Sequence, residues 1–415
     1  MPIHLRKRSS PNMFKHLLSG SLAALCLLPM QQVFSHEITD EGKIVPILNV
    51  GGRYLSTDKD YPSSRLNNAL EANGQQAYQQ KNALDYIDLG LKVNWTDDLS
   101  SYVKASYHGV DLGEELAVEQ AWLKYAYDVN HDNMLTIKAG RQNVPLGQQN
   151  LEHSHNWLMG VTPLVIRASL AGSWLDDGVQ LVWQHEKGWQ AQVGAYQADT
   201  FPSSQSKGAN AITANIAWQE DFRRLQLSLA NFNVNGRTTE QQLTQGHSHN
   251  QAACLTPSLG QVCFDGQSNI VVVDAEQSWG RLTLSTEAWF KRESGNLGSL
   301  SGLVDYTGTV NGAWLTAIYR WQDQWQFLAR IEDLQGQHTL KGTNAKLIAQ
   351  EAGISQSDDT LYRVGIGAIW TNQRGIKLSA ELHHENLGQH DNLIFLLRYQ
   401  IELVRLLNVK TNSNP

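Results

Sequence analysis

The stretch Tyr86-Ile87-Asp88-Leu89-Gly90-Leu91-Lys92-Val93-Asn94-Trp95 decides the fold. Its apolar residues Ile87, Leu89, Leu91, Val93 and Trp95 fall on every second position. Asp88, Gly90, Lys92 and Asn94 fill the positions between. One face is greasy and the other carries full charges, which is the signature of a half-buried β-strand. The same alternation returns at Leu282, Leu284, Thr286, Ala288 and Phe290, opposite Thr283, Ser285, Glu287, Trp289 and Lys291. It returns again over Ile376–Leu382 and over Leu393–Ile401.

Sixteen such stretches lie between about 45–55 and about 393–403, each close to the length that a tilted strand needs to cross a bilayer. The gaps between them alternate. Short turns (96–100, 128–133, 185–188, 219–224, 278–280, 320–324, 371–374) alternate with mostly longer connections, four of them very long: 56–85, 145–176, 235–268 and 333–360. An up-and-down barrel in an outer membrane has this asymmetry, with short turns on the inner side and loops outside. In lipid the sheet must close, because an open edge would leave backbone groups unpaired in hydrocarbon. The expectation is an all-β, antiparallel transmembrane barrel of sixteen to eighteen strands. Aromatics near strand ends, including Trp95, Tyr125, Trp183, Trp189, Trp279, Trp289 and Trp321, are candidates for interfacial girdles.

Composition agrees. Among 415 residues, Lys and Arg number 33 and Asp and Glu 40, for a net charge of −7, which argues against a nucleic-acid binder. No apolar run approaches the roughly 20 residues of a spanning helix. Residues 1–35 have a basic start (Arg6, Lys7, Arg8, Lys15), an apolar stretch over Leu17–Met30 and a small residue at Ser35, the layout of a secretory signal peptide. The organisation expected is signal 1–35, a short segment 36–44, the barrel 45–403 and a tail 404–415. Cleavage would remove four basic and no acidic side chains, leaving 29 basic against 40 acidic residues. The remaining cysteines, Cys254 and Cys263, meet an oxidising compartment and are expected to form a disulfide.

Sixteen strands enclose a water-filled channel. The charged positions of the alternating rows, among them Lys104, Lys124, Lys138, Glu287, Arg330, Glu332, Arg363, Lys377, Glu381, His383 and Arg398, would face it and tune which ions pass.

The segment Glu119-Gln120-Ala121-Trp122-Leu123-Lys124-Tyr125 leads to Ile137-Lys138-Ala139-Gly140-Arg141-Gln142-Asn143-Val144-Pro145-Leu146-Gly147, then through Asn156-Trp157 to Asp177-Gly178-Val179. Over about sixty residues this resembles Gram-negative general porins and the phosphate-selective porin-like group. There, a strand ending Gly-Arg-x-x-x-Pro-x-Gly runs into the loop that folds inward and narrows the pore. The resemblance implies a constriction loop with Arg141 at its root and Glu152, His153, His155, Arg167, Asp176 and Asp177 on it or at its ends. It also implies a homotrimer. Two features depart from the pattern. Phosphate-selective members line the pore with many Lys and Arg, whereas this chain is acidic. Outer-membrane barrels also end on an aromatic, whereas Val404–Pro415 has none.

Histidine is the other unusual residue. Two His-Ser-His triplets, 153–155 and 247–249, lie on different long loops. Imidazoles bind zinc, copper or nickel. With His383 and His384, the residues His153, His155, His247 and His249 form a candidate zinc-collecting mouth, although no spacing among them is a metal motif. An enzyme is not expected, since no Gly-x-Ser-x-Gly nucleophile elbow occurs. About ten residues separate Ser35 from the first strand, too few for the folded plug of a gated receptor. The expectation is an outer-membrane porin passing small hydrophilic solutes or ions with no cofactor. A metal channel or binder and a non-conducting adhesive barrel stay open as alternatives.

Overall fold

The computed structural model describes residues 44–58, 66, 69–70, 81–108, 116–199, 201–203, 210–238, 254, 257, 261–354, 360–388 and 391–404. The expected signal peptide, His247, His249 and the tail from 405 onward lie outside the described residues.

Sixteen strands pair antiparallel in sequence order, and the last returns to the first to close the barrel. They are β1 (Ile44–Thr57), β2 (Lys81–Asn94), β3 (Leu99–His108), β4 (Leu116–Asn130), β5 (Asn133–Asn143), β6 (Leu175–His185), β7 (Trp189–Tyr196) and β8 (Ala211–Glu220). The second half comprises β9 (Arg223–Thr238), β10 (Cys263–Trp279), β11 (Leu282–Ser299), β12 (Gly302–Gln322), β13 (Trp325–Lys341), β14 (Leu361–Thr371), β15 (Ile376–Asn386) and β16 (Asp391–Glu402). Closure runs through pairs such as Tyr54↔Leu397 and Val50↔Ile401. It leaves neither edge of the sheet unpaired.

Strand faces follow the alternation. Leu89, Leu91, Val103, Leu123, Ile137, Val179, Val193, Ile216 and Leu227 are exposed on the outside. Trp95, Tyr125, Tyr127, Trp183, Trp189, Trp279, Tyr319 and Trp321 are also exposed, and they gather at the short-turn end. An apolar wall with an aromatic ring at one rim matches the outside of a membrane barrel.

The structure corrects three expectations. Strands β9–β13 extend further on the loop side than the alternation showed, and residues 294–304 are almost entirely strand, with β11 and β12 paired to Ser299↔Gly302. Trp289 is not on a girdle. It points inward, is 0% exposed and donates its indole N–H to Glu287 at 2.9 Å. The interior is also not simply a water-filled channel. On the loop side a large apolar cluster fills it, joining Val144, Leu146, Trp157, Leu164, Val165, Ile166, Leu170 and Trp174 of the β5–β6 connection to inward Phe232, Phe264, Val272, Trp289, Val310, Trp314 and Leu334. Alternation identifies the greasy face that meets lipid, but it does not reveal that a few inward positions carry large apolar residues to receive a loop.

Cys254 and Cys263 are joined by a disulfide at the start of β10, with Cα atoms 5.6 Å apart and a sequence separation of 9.

Candidate functional site

The β5–β6 connection, residues 144–174, enters the barrel. Asn150 closes its neck. The side-chain amide donates to Val144 O (2.7 Å) and Trp174 O (3.1 Å), and its oxygen accepts from Trp174 N (2.7 Å). Beyond the neck come two short turns of tight helix, Gln149–Leu151 and Ser154–Asn156, and then helix α1 (Leu164–Leu170), which packs against β12 and β13.

Buried backbone needs hydrogen-bond partners, and here the wall's charged side chains supply them. Glu287 on β11 accepts from Gln148 N (3.0 Å) and Gln149 N (2.7 Å). Glu381 on β15 accepts from Gly160 N at 2.9 Å. Glu332 on β13 accepts from Leu164 N at 2.8 Å. Arginines hold the carbonyls: Arg363 donates to Thr162 O (2.7 Å), and Arg398 donates to Trp157 O (3.0 Å) and Leu158 O (2.9 Å). These charges also pair with one another, Arg363 with Glu332 and Glu385, and Arg398 with Glu381. Hydrogen bonds to ionised groups are stronger than neutral ones, so the loop is held at several points around the wall.

Two loop glycines allow this approach. A Cβ on Gly160 would lie 2.6 Å from Arg398 Nε. Gly147 has φ of +68°, and a Cβ there would lie 2.6 Å from a Glu287 carboxylate oxygen.

The residues expected at the constriction divide into groups. His153, His155 and Arg167 are buried in the inward loop, and Glu152 is exposed on it. Arg398 pins the loop. Arg330 is buried on the inner wall and donates to Thr316 Oγ1 at 2.9 Å. Asp176 is buried at the start of β6, where it accepts from Trp174 Nε1 (3.1 Å). Lys124 and Lys138 face each other across β4 and β5 on the inner wall toward the turn side, half-buried, with the Lys138 ammonium 4.6 Å from the centre of the Trp122 ring.

Arg141 and Asp177 are placed differently from the expectation. They pair at 3.3 Å at the root of the loop, but by register they continue the outward row of Ile137 and Val179. Their side chains are 24% and 45% exposed. Resemblance located the strand end correctly, but the side of the wall depends on parity.

Of the six histidines of the expected metal mouth, His247 and His249 lie outside the described residues, and His383 and His384 do not join His153 and His155. His383 points inward and bonds Glu381 at 3.0 Å, while its neighbour His384 is on the outside near the Tyr362 ring. His153 and His155 instead meet a cluster of Asp88, Lys104, His108 and Glu119, which no short motif links to them. Glu119 Oε1 lies 2.8 Å from His108 Nε2 and 3.1 Å from His153 Nε2. His153 Nδ1 is 3.0 Å from His155 Nδ1, and His155 Nε2 is 3.0 Å from Asp88 Oδ2. Lys104 is ion-paired to the other oxygen of Glu119 at 2.6 Å. Burial holds the His153 imidazole well below its ordinary pKa, against the pull of Glu119. A bulge makes this cluster possible: Lys104 pairs with Gln120 but Ala105 with Val118, so Glu119 is an extra residue beside Lys104.

No family model matches the chain, and no curated protein is recognisably similar in sequence. Solved structures do match. OmpT, an outer membrane protein of Vibrio cholerae in its trimer form, aligns with a TM-score of 0.57 at 10% identity, over 87% of this chain and 99% of that one. The outer membrane channel DcaP of Acinetobacter baumannii aligns with a TM-score of 0.53 at 11% identity, over 90% and 100%. An anion-selective porin from Comamonas acidovorans aligns with a TM-score of 0.51 at 11% identity, over 87% and 99%. At such identities the likeness is one of architecture: this chain has the sixteen-stranded barrel fold of Gram-negative outer-membrane porins.

Proposed function

We propose that the protein is an outer-membrane channel for passive diffusion of small hydrophilic solutes or ions, its bore set by loop 144–174. The observation that carries this reading is the loop itself, folded inside a closed barrel and held there by Glu287, Glu332, Arg363, Glu381 and Arg398. The apolar outer wall and the aromatic ring at the turn end support a membrane location. Because those wall charges are engaged with the loop, Lys124 and Lys138 on the turn side are the candidates for setting charge preference. They favour anions. A homotrimer is proposed on the likeness to OmpT, a barrel described in a trimer form.

A second reading has its own observation. Arg363, His383 and Glu385 are 0% exposed although they point into the lumen. That supports a barrel which conducts only when the loop shifts.

The test is single-channel recording of the purified protein in a planar bilayer, with the reversal potential taken in a salt gradient. Steady discrete steps are expected from the open channel, and rare brief openings from the gated one. A folded barrel that passes no current at any voltage would remove both readings and leave an adhesive or structural barrel.

A further inference from the structure

His153 and His155 reach from the inward loop into a buried cluster of wall side chains. Three contacts run in series: Asp88 Oδ2 to His155 Nε2 (3.0 Å), His155 Nδ1 to His153 Nδ1 (3.0 Å), and His153 Nε2 to Glu119 Oε1 (3.1 Å).

The donor set suits a metal. Ligand atoms of His108, Glu119 and His155 lie within 4.8 Å of one another, and all three residues are buried. His153 adjoins them through both of its ring nitrogens. Bonds of about 2.0–2.2 Å to nitrogen and oxygen, as zinc makes, put neighbouring ligand atoms a little over 3 Å apart, and His108 Nε2 lies 2.8 Å from Glu119 Oε1. The surroundings fit as well. A metal-bound histidine usually donates its other ring N–H to a carboxylate, and His155 Nε2 faces Asp88. Asp88 in turn accepts from Ser106 Oγ at 2.6 Å. Tyr86 stacks on the His155 ring at 3.9 Å, and Lys104 holds the far oxygen of Glu119.

We propose that His108, Glu119 and His155 bind one divalent first-row transition ion such as zinc, tying the inward loop to β3 and β4. The ion would be a clasp for the loop rather than cargo, because His108 and Glu119 come from the wall, His155 comes from the loop, and all three are buried. His383 and His384 take no part. The site stands whether or not the barrel conducts, and its test does not use current.

The full chain, folded in detergent and stripped with a chelator, is titrated with cobalt and then displaced with zinc. Metal content per chain is measured after gel filtration. The expected result is one ion per chain, with the visible absorption of four-coordinate cobalt. His108→Gln should abolish that band, Asp88→Asn should weaken binding by about 10- to 100-fold, and His384→Ala should change nothing. Folding of each variant is checked by the heat-dependent gel mobility of the barrel, and Asp88→Asn keeps the test decisive if His108→Gln does not fold. A folded barrel that takes up neither metal, or one whose metal survives both His108→Gln and Asp88→Asn, overturns the proposal.

Discussion

Both carboxylate oxygens of Glu381 lie 2.9 Å from the amide nitrogen of Gly160, 221 residues away in sequence. The same carboxylate accepts from Arg398 at 3.0 Å and meets His383 at 3.0 Å. A side chain that alternation assigns to the pore lining is thus the partner of a loop backbone group. The inward loop has little secondary structure of its own to satisfy its N–H and C=O groups, and the wall's ionised groups do so instead.

Removing that partner should free the loop. Glu381→Leu deletes the acceptor for Gly160 N and leaves Arg398 without its carboxylate. A hydrogen bond to a charged group contributes about 1.5–3 kcal/mol. Amide exchange at Gly160 should accelerate by about 10- to 100-fold, with larger or noisier single-channel conductance and an unchanged sheet by circular dichroism. Exchange at 157–162 as slow as in the wild type would show that the loop holds without this pin.

The same release should follow from bulk alone. Gly160→Val drives a side chain into Arg398, and its Cβ would also lie 2.8 Å from Leu396 Cδ2. Overpacking of this kind costs about 1–3 kcal/mol. Conductance should change in the same direction as in Glu381→Leu with no change of charge. A wild-type conductance trace would contradict the close approach.

The inner and outer faces make opposite predictions for two cations. Lys124 faces the lumen, so Lys124→Glu should move the reversal potential toward cation selectivity. Arg141 is on the outward row with Asp177, so Arg141→Ala should leave conductance and reversal potential unchanged. A selectivity shift in Arg141→Ala would place its guanidinium in the pore after all.

The Cys254–Cys263 bond closes a short segment at the loop end of β10. Chain-entropy estimates for a loop this short give about 2–3 kcal/mol. Replacing both cysteines by serine should raise hydrogen exchange and protease cutting around 254–263. The heat-dependent mobility of the barrel should stay the same, because β10 remains paired to β9 and β11 over most of its length. Loss of barrel folding would show that the bond acts on assembly and not only on the loop.

Much of the architecture was legible because its signal is local. Alternation such as Ile87 to Trp95 reports which face of a strand meets lipid, and the turns and long connections report its direction. All sixteen strands could be read this way, whereas the segment that turns inward was implied by the resemblance to porins. Legibility failed where a single residue changes parity or where distant elements meet. The bulge at Glu119 and the outward placement of Arg141 each rest on a register that the pattern does not count. Trp289 looked like a rim aromatic because a tryptophan near a strand end is the same letter on either face.

Local chemistry in the chain therefore specified a closed, lipid-facing barrel, since period-two patterning and the need to pair every backbone group in hydrocarbon leave few other solutions; the inward segment was implied only by the resemblance to porins. The contents of its interior did not follow from that. Asp88, His108, Glu119, His153 and His155 are spread over four segments, and Glu381 and Gly160 over the two halves of the chain. Barrel closure and the path of one loop bring them within hydrogen-bond distance. Those contacts depend on shear, register and packing summed over the whole sheet, which no short stretch of residues encodes.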